Sequence, residues 1–162
     1  MSQGNKHQLI KAQSKMTVNL YLLTIAFTIF TFIITINPSL VRNNIFLALQ
    51  LTLAIPLLIS SVFVRARISY ATKEINWDRY GYVLFIVAYS FLINVVGILL
   101  AALVYVFIAW IFFGVNILCA LLYSTIEIIE DHARVKSRVY KDGLFIAILF
   151  VLGILPILLF IE

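Results

Sequence analysis

The chain has 162 residues, of which 64% are hydrophobic and only 12% are charged, and its net charge is +5 at pH 7. Soluble domains are about half apolar and a quarter charged, and a small domain could not hide this much apolar surface, so the composition excludes a soluble fold. The basic residues lie in short segments between apolar runs, which favours contact with a membrane surface over binding to nucleic acid.

The first predicted membrane span covers residues 17–36 and follows a polar N-terminal segment, residues 1–16. Its length exceeds the apolar core of a secretory signal peptide, so it is predicted to remain uncleaved. Four threonines recur along it at helical spacing and form one stripe: Thr24, Thr28, Thr31 and Thr35. Two interpretations stay open. Either each hydroxyl bonds to a carbonyl of its own helix, or the stripe lines a subunit contact or a narrow polar path.

The second predicted span covers residues 44–64 and is followed by a basic loop, residues 65–79. Pro56 lies near the middle of this span and predicts a kink, because proline cannot donate to the carbonyl four residues earlier. The loop also carries aromatic rings of the kind that settle at the depth of lipid headgroups. The residues predicted to form a docking surface here are Arg65, Arg67, Trp77 and Arg79.

Residues 81–126 contain no Asp, Glu, Lys, Arg or His. As one helix this run would be roughly 65–70 Å long, about twice the hydrocarbon core of a bilayer. The sequence therefore predicts two spans, residues 80–96 and 99–124, joined by an uncharged turn within 94–101. Two alternatives remain: Gly97 and Ala101 would form a close helix contact if they were helical, and a rival turn lies at 114–116.

A charged segment, residues 125–143, precedes the last predicted span, residues 144–161. It is predicted to extend the fourth helix beyond the membrane and to stop at Gly143. Glu127, Glu130 and Arg134 are its predicted docking residues. No metal or other cofactor is predicted; Glu127, Asp131 and His132 carry groups that could hold a divalent ion, but a solvated helix end is the favoured interpretation.

The distribution of basic residues tests the number of spans and predicts the orientation. With five spans and a cytoplasmic N-terminus, the segments 1–16, 65–79 and 125–143 are cytoplasmic and hold eleven of the twelve Lys and Arg residues, with Arg42 alone outside. If the long run crossed only once, five of the twelve would lie outside. Because Lys and Arg in short loops face the cytoplasm, the sequence predicts five spans in the cell membrane.

The polar residues left inside the spans are few, and no catalytic motif accompanies them. Gln50, Asn94 and Asn116 are expected to bond to neighbouring helices, because an unpaired amide in hydrocarbon costs several kcal/mol. No metalloprotease, nucleophile-elbow or phosphate-loop pattern is present. The chain is therefore predicted to be non-enzymatic.

The predicted protein is an all-α, polytopic integral membrane helical bundle with a single membrane domain, residues 1–162. Its predicted role is an oligomeric channel-like or transport-related subunit, whose partners are the lipid bilayer and other copies of the chain. The alternative is a sensor or interaction subunit whose cytoplasmic loops dock a soluble protein. A small membrane enzyme is the third hypothesis.

Overall fold

The computed structural model describes residues 3–70, 75–130 and 135–160, and within these ranges the chain is helical with no strand. The elements are α1 Gln3–Ile36, α2 Pro38–Asn43, α3 Ile45–Tyr70, α4 Ile75–Leu103, α5 Val106–Glu130, α6 Val135–Leu149, a π-helical turn Phe150–Ile154, and α7 Leu155–Phe160.

Five stretches of the described helices are long and apolar enough to cross a membrane: Gln13–Ile36, Ile45–Ile68, Arg79–Leu103, Val106–Ile129 and Arg138–Leu159. Each has 22 to 25 residues, or about 33–38 Å of helix, which spans a hydrocarbon core of about 30 Å with some tilt. The predicted fold class, an all-α transmembrane helical bundle with five spans, is confirmed.

The first compact unit comprises Met1–Tyr89, and its core is the contact between α1 and α3. Buried residues recur every seven positions on α1, at Asn19, Ala26 and Ile33, and every three or four positions along α3, where they include Leu47, Ala54 and Ser61. This spacing is typical of helices that cross at about 20°. The two helices run in opposite directions, since only the short α2 joins them.

The connection between α1 and α3 is built from asparagine and proline. Pro38 occupies the first turn of α2, where its missing N–H is not needed. Asn44 then caps α3, because its side-chain oxygen accepts a hydrogen bond from the backbone N–H of Leu47 at 3.0 Å. The local sequence thereby ends one span and begins the next within a few residues.

The second compact unit comprises Ser90–Glu162, and its first turn lies later than the sequence predicts. Helix α4 continues through Gly97 to Leu103, and the turn falls at Val104 and Tyr105 rather than within residues 94–101. Gly97 is buried inside the helix, in direct contact with the ring of Phe113 on α5. The absence of a side chain at Gly97 serves a close helix contact and not a chain reversal.

The charged segment 125–143 does not form a single extension of the fourth span, because Ser124 and Asp142 are hydrogen-bonded although a continuous helix would hold residues eighteen apart about 27 Å from each other. Its first part belongs to α5, Val106–Glu130, and its last part belongs to α6, Val135–Leu149. Gly143 lies within α6, and none of the glycines in the described ranges has a positive φ angle. Because a helix ends at glycine mainly when the residue adopts a left-handed conformation, Gly143 does not stop this one.

Candidate functional site

A chain of buried polar contacts links three helices in the first unit. The side-chain amide of Asn19 on α1 donates to the hydroxyl of Ser61 on α3 at 2.8 Å. That hydroxyl donates in turn to the backbone carbonyl of Gly81 on α4 at 3.2 Å. Asn19 is 2% exposed and Ser61 is fully buried. Between apolar helices such bonds specify which faces meet.

Glycine at position 81 permits this approach. A Cβ atom at Gly81 would lie 2.7 Å from Cγ1 of Val64, closer than real side chains come. The sequence analysis did not single out Asn19. The available signal was the helical register of Asn19 with Ala26 and Ile33, which places an amide on an otherwise apolar face.

The threonine stripe of α1 lies away from the contact with α3. Thr24, Thr28, Thr31 and Thr35 are all exposed, and at about 100° per residue Thr24 and Thr28 point about 160° away from buried Ala26. The hydroxyls of Thr24 and Thr28 donate to the carbonyls four residues earlier, at 3.0 and 2.9 Å. These bonds give the hydroxyls of Thr24 and Thr28 acceptors within α1, and the threonine stripe as a whole is exposed on the surface of the chain.

The predicted intramembrane amides have different partners. Gln50 is fully buried and Asn116 is half-buried, and each donates to the carbonyl four residues earlier in its own helix, at 3.2 and 2.8 Å. Asn94 reaches another helix. Its amide donates to the carbonyl of Ile148 on α6 at 3.2 Å.

Asn94 is the centre of a closely packed group in the second unit. It is fully buried, and its side-chain oxygen has no hydrogen-bond partner among the described residues. The oxygen lies against Gly153 in the π-helical turn, where a Cβ atom would collide with it and would lie 2.9 Å from Cζ of Phe113. Three helices therefore meet here at distances that only glycine allows.

The π-helical turn itself was not predicted from the sequence. The backbone N–H of Leu155 donates to the carbonyl of Phe150, five residues earlier instead of four. Pro156 follows directly and has no N–H to donate, so regular α-helical bonding is already interrupted at this point. Pro156 was the one available signal, and it does not distinguish a π-helical turn from an ordinary kink.

Charged and polar residues join α5 to α6 near the ends of their spans. Arg138 forms an ion pair with Glu127, its guanidinium between the two carboxylate oxygens, and lies 5.7 Å from the ring centre of Tyr123. The hydroxyl of Ser124 donates to the carboxylate of Asp142. The side chains of Arg138 and Glu127 are 14% and 25% exposed, so this pair is largely shielded from water.

The basic and aromatic residues between α3 and α4 form a second polar group. The guanidinium of Arg67 lies 4.3 Å from the ring centre of Trp77, and Trp77 meets Tyr80 edge to face with ring centres 6.2 Å apart. Arg67 and Arg79 are exposed, whereas Arg65 is only 3% exposed. Arg65 therefore lies inside the helix packing and the other two arginines lie at its surface.

The remaining predicted site residues lie partly outside the described ranges. Asp131, His132 and Arg134 lie outside the described residues, as does the side chain of Glu130. In the described part of the chain no group of three His, Cys, Asp or Glu residues could hold a metal ion. Glu127, the described member of the metal candidates, is paired with Arg138.

Together these features define the class of the protein as a multi-pass helical membrane protein whose spans are joined by a small number of buried polar contacts. No family model, no curated protein and no solved structure matches the chain. Its function must therefore be inferred from its own residues.

Proposed function

We propose that the chain is a non-enzymatic membrane subunit that works as a homo-oligomer, with the threonine face of α1 at the contact between copies or along a narrow polar path. The observation that supports the proposal is the position of this face. It lies opposite the contact with α3 and is exposed along its whole length. A regular hydroxyl stripe on an otherwise apolar helix favours association with another helix over contact with lipid chains.

The small buried fraction of α1 supports the same proposal. Only 17% of its most apolar window is buried within the chain, and the four threonines all belong to its exposed part. A helix whose polar face is left outside its own chain gains van der Waals contacts and hydrogen bonds by meeting a second copy. A channel-like or transport-related role follows if several copies place these hydroxyls around a common axis.

Replacing Thr28 and Thr31 together by valine tests this proposal. Valine keeps the shape of threonine and removes the hydroxyl, and interhelical polar contacts in membranes average about 0.6 kcal/mol each. We expect the dissociation constant of the oligomer, measured by energy transfer between labelled copies in bicelles, to rise about eightfold for the pair. If the stripe lines a path, ion flux in proteoliposomes falls as well.

The matched control removes two exposed threonines from other helices, Thr52→Val with Thr125→Val. It should leave both measurements unchanged. The proposal is abandoned if the α1 double variant associates like the parent and conducts the same flux. If association weakens while ion flux stays constant, the oligomer contact is supported and the polar path is rejected.

We also propose that the chain resides in the cell membrane with its N-terminus in the cytoplasm. Support comes from the charge distribution, since eleven of the twelve basic residues then face the cytoplasm. In a Cys119→Ser background, Ser39→Cys and Tyr105→Cys should react with an impermeant maleimide added to intact cells, and Ile10→Cys should react only after lysis. All three parent positions are exposed and lie outside the five spans. Labelling of Ile10→Cys in intact cells would refute the orientation.

A further inference from the structure

We propose that Arg67, Trp77 and Tyr80, together with the neighbouring charge of Arg79, form a binding site for the phosphate of an anionic lipid headgroup. The site lies where two spans reach the polar boundary of the membrane, since the α3 span ends at Ile68 and the α4 span begins at Arg79. Lipid phosphates lie at this depth, and tryptophan and tyrosine rings are enriched there. The proposal depends on the membrane spans and not on the proposed oligomer.

The cation–π contact of Arg67 with Trp77 prepares the arginine for phosphate. The guanidinium carbon of Arg67 lies over the Trp77 ring, 4.3 Å from the ring centre. A guanidinium carries five N–H donors, so contact with one ring leaves donors available for hydrogen bonds to one phosphate. An arginine in such a contact also loses less conformational freedom on binding than a flexible one.

Tyr80 extends the same surface. Tyr80 is 53% exposed and holds Trp77 edge to face, and its hydroxyl can donate to a phosphate oxygen. Arg79 directly precedes Tyr80 in α4, is exposed, and adds a second positive charge at the start of the span. Each basic residue near an anionic surface strengthens binding by about fivefold. The lipid, not a soluble phosphate compound, is the ligand because the rings flanking the guanidinium offer apolar contact to the lipid backbone and chains.

Fluorescence of Trp77 tests the site directly. The chain has two tryptophans, so Trp110→Phe leaves Trp77 as the only reporter. The full-length protein is reconstituted in vesicles that contain brominated phosphatidylglycerol or brominated phosphatidylcholine, and quenching by the two lipids gives their relative binding constant at Trp77. We expect phosphatidylglycerol to be favoured by about fivefold or more.

Variants separate a built site from diffuse charge. Arg67→Gln with Arg79→Gln should bring the relative binding constant to about 1. Arg42→Gln, which removes one charge in α2 just before the start of α3, should leave it unchanged. Arg67→Lys should lower the preference, because lysine keeps the charge and loses the planar hydrogen-bonding edge. Unchanged helical content by circular dichroism, with equal quenching by phosphatidylcholine, shows that the variants are folded and inserted.

Three results would overturn the proposal. Equal quenching of the parent by the two lipids would remove any preference at Trp77. The preference for phosphatidylglycerol could also survive in Arg67→Gln with Arg79→Gln, or be as strong in Arg67→Lys as in the parent. Either result would show that diffuse surface charge, and not a site at Arg67 and Trp77, attracts the lipid. Loss of the preference when inorganic phosphate is added at the same phosphate concentration would identify a soluble anion as the ligand instead.

Discussion

Gly153→Ala is expected to lower the free energy of unfolding by about 1–3 kcal/mol, the usual cost of overpacking a filled interior. The added methyl group would meet the side-chain oxygen of Asn94 and lie 2.9 Å from Cζ of Phe113. Neither neighbour can move away easily, because Asn94 is fully buried and Phe113 is 1% exposed. Unfolding by SDS in mixed micelles, followed by circular dichroism, measures the change.

Two other glycines provide matched controls for this substitution. A Cβ atom at Gly114 or Gly143 would meet nothing within 4 Å. Since alanine favours a helix over glycine by up to about 1 kcal/mol, Gly114→Ala and Gly143→Ala should be neutral or slightly stabilising. A Gly153→Ala protein as stable as these two would show that the contact of Asn94 with the π-helical turn does not constrain the last span.

A double substitution identifies the atom responsible. Asn94→Ala removes the side-chain oxygen that the new methyl group would meet, and it also removes the hydrogen bond to the carbonyl of Ile148. In the Asn94→Ala background the additional cost of Gly153→Ala should therefore be clearly smaller than in the parent. Equal costs in both backgrounds would point to Phe113 as the only obstacle.

Arg138→Glu is expected to produce the second large effect, a loss of about 2–3 kcal/mol in the same unfolding measurement. The substitution places a second carboxylate beside Glu127, with both sites only 14% and 25% exposed. Breaking a fully buried ion pair costs about 3–5 kcal/mol, and the partial exposure of this pair reduces that figure. The stacking of Arg138 near Tyr123 is lost at the same time.

Exchange of the two charges distinguishes pairing from the loss of an arginine. Glu127→Arg combined with Arg138→Glu restores opposite charges at the same positions and should recover most of the lost stability. Arg42→Glu, at an exposed position in the other unit, should change the unfolding free energy by less than about 0.5 kcal/mol. Failure of the exchange to recover stability would mean that Arg138 acts through Tyr123 and not through Glu127.

The number of spans could be predicted from sequence because it depends on length and charge alone. An uncharged run twice as long as the hydrocarbon core must cross it twice, and the placement of basic residues agreed with that count independently. The position of the turn could not be obtained in this way. Gly97 resembled a turn residue, and its role in contact with Phe113 depends on a helix that is distant in sequence.

The polar partners were also beyond prediction. Asn94 was expected to bond to a neighbouring helix, but nothing in the sequence names Ile148 as its acceptor or places Gly153 against its oxygen. Asn19 gave no sign that it meets Ser61, forty-two residues later. In a helix of a soluble protein the apolar stripe marks the buried face. In a membrane helix this signal is missing, because residues that face lipid and residues that face other helices are equally apolar.

The sequence by itself determined that this protein crosses a membrane five times as helices, because only helices or closed barrels satisfy every backbone hydrogen bond in hydrocarbon and its long apolar segments have helical length. Tertiary structure decided which face of each helix is covered, and so which polar groups meet. That outcome depends on the rotation of each helix about its axis and on close approach at Gly81, Gly97 and Gly153. The physical reason is that lipid, unlike water, gives the apolar side chains no preference for one another, so packing geometry and a few hydrogen bonds make the choice.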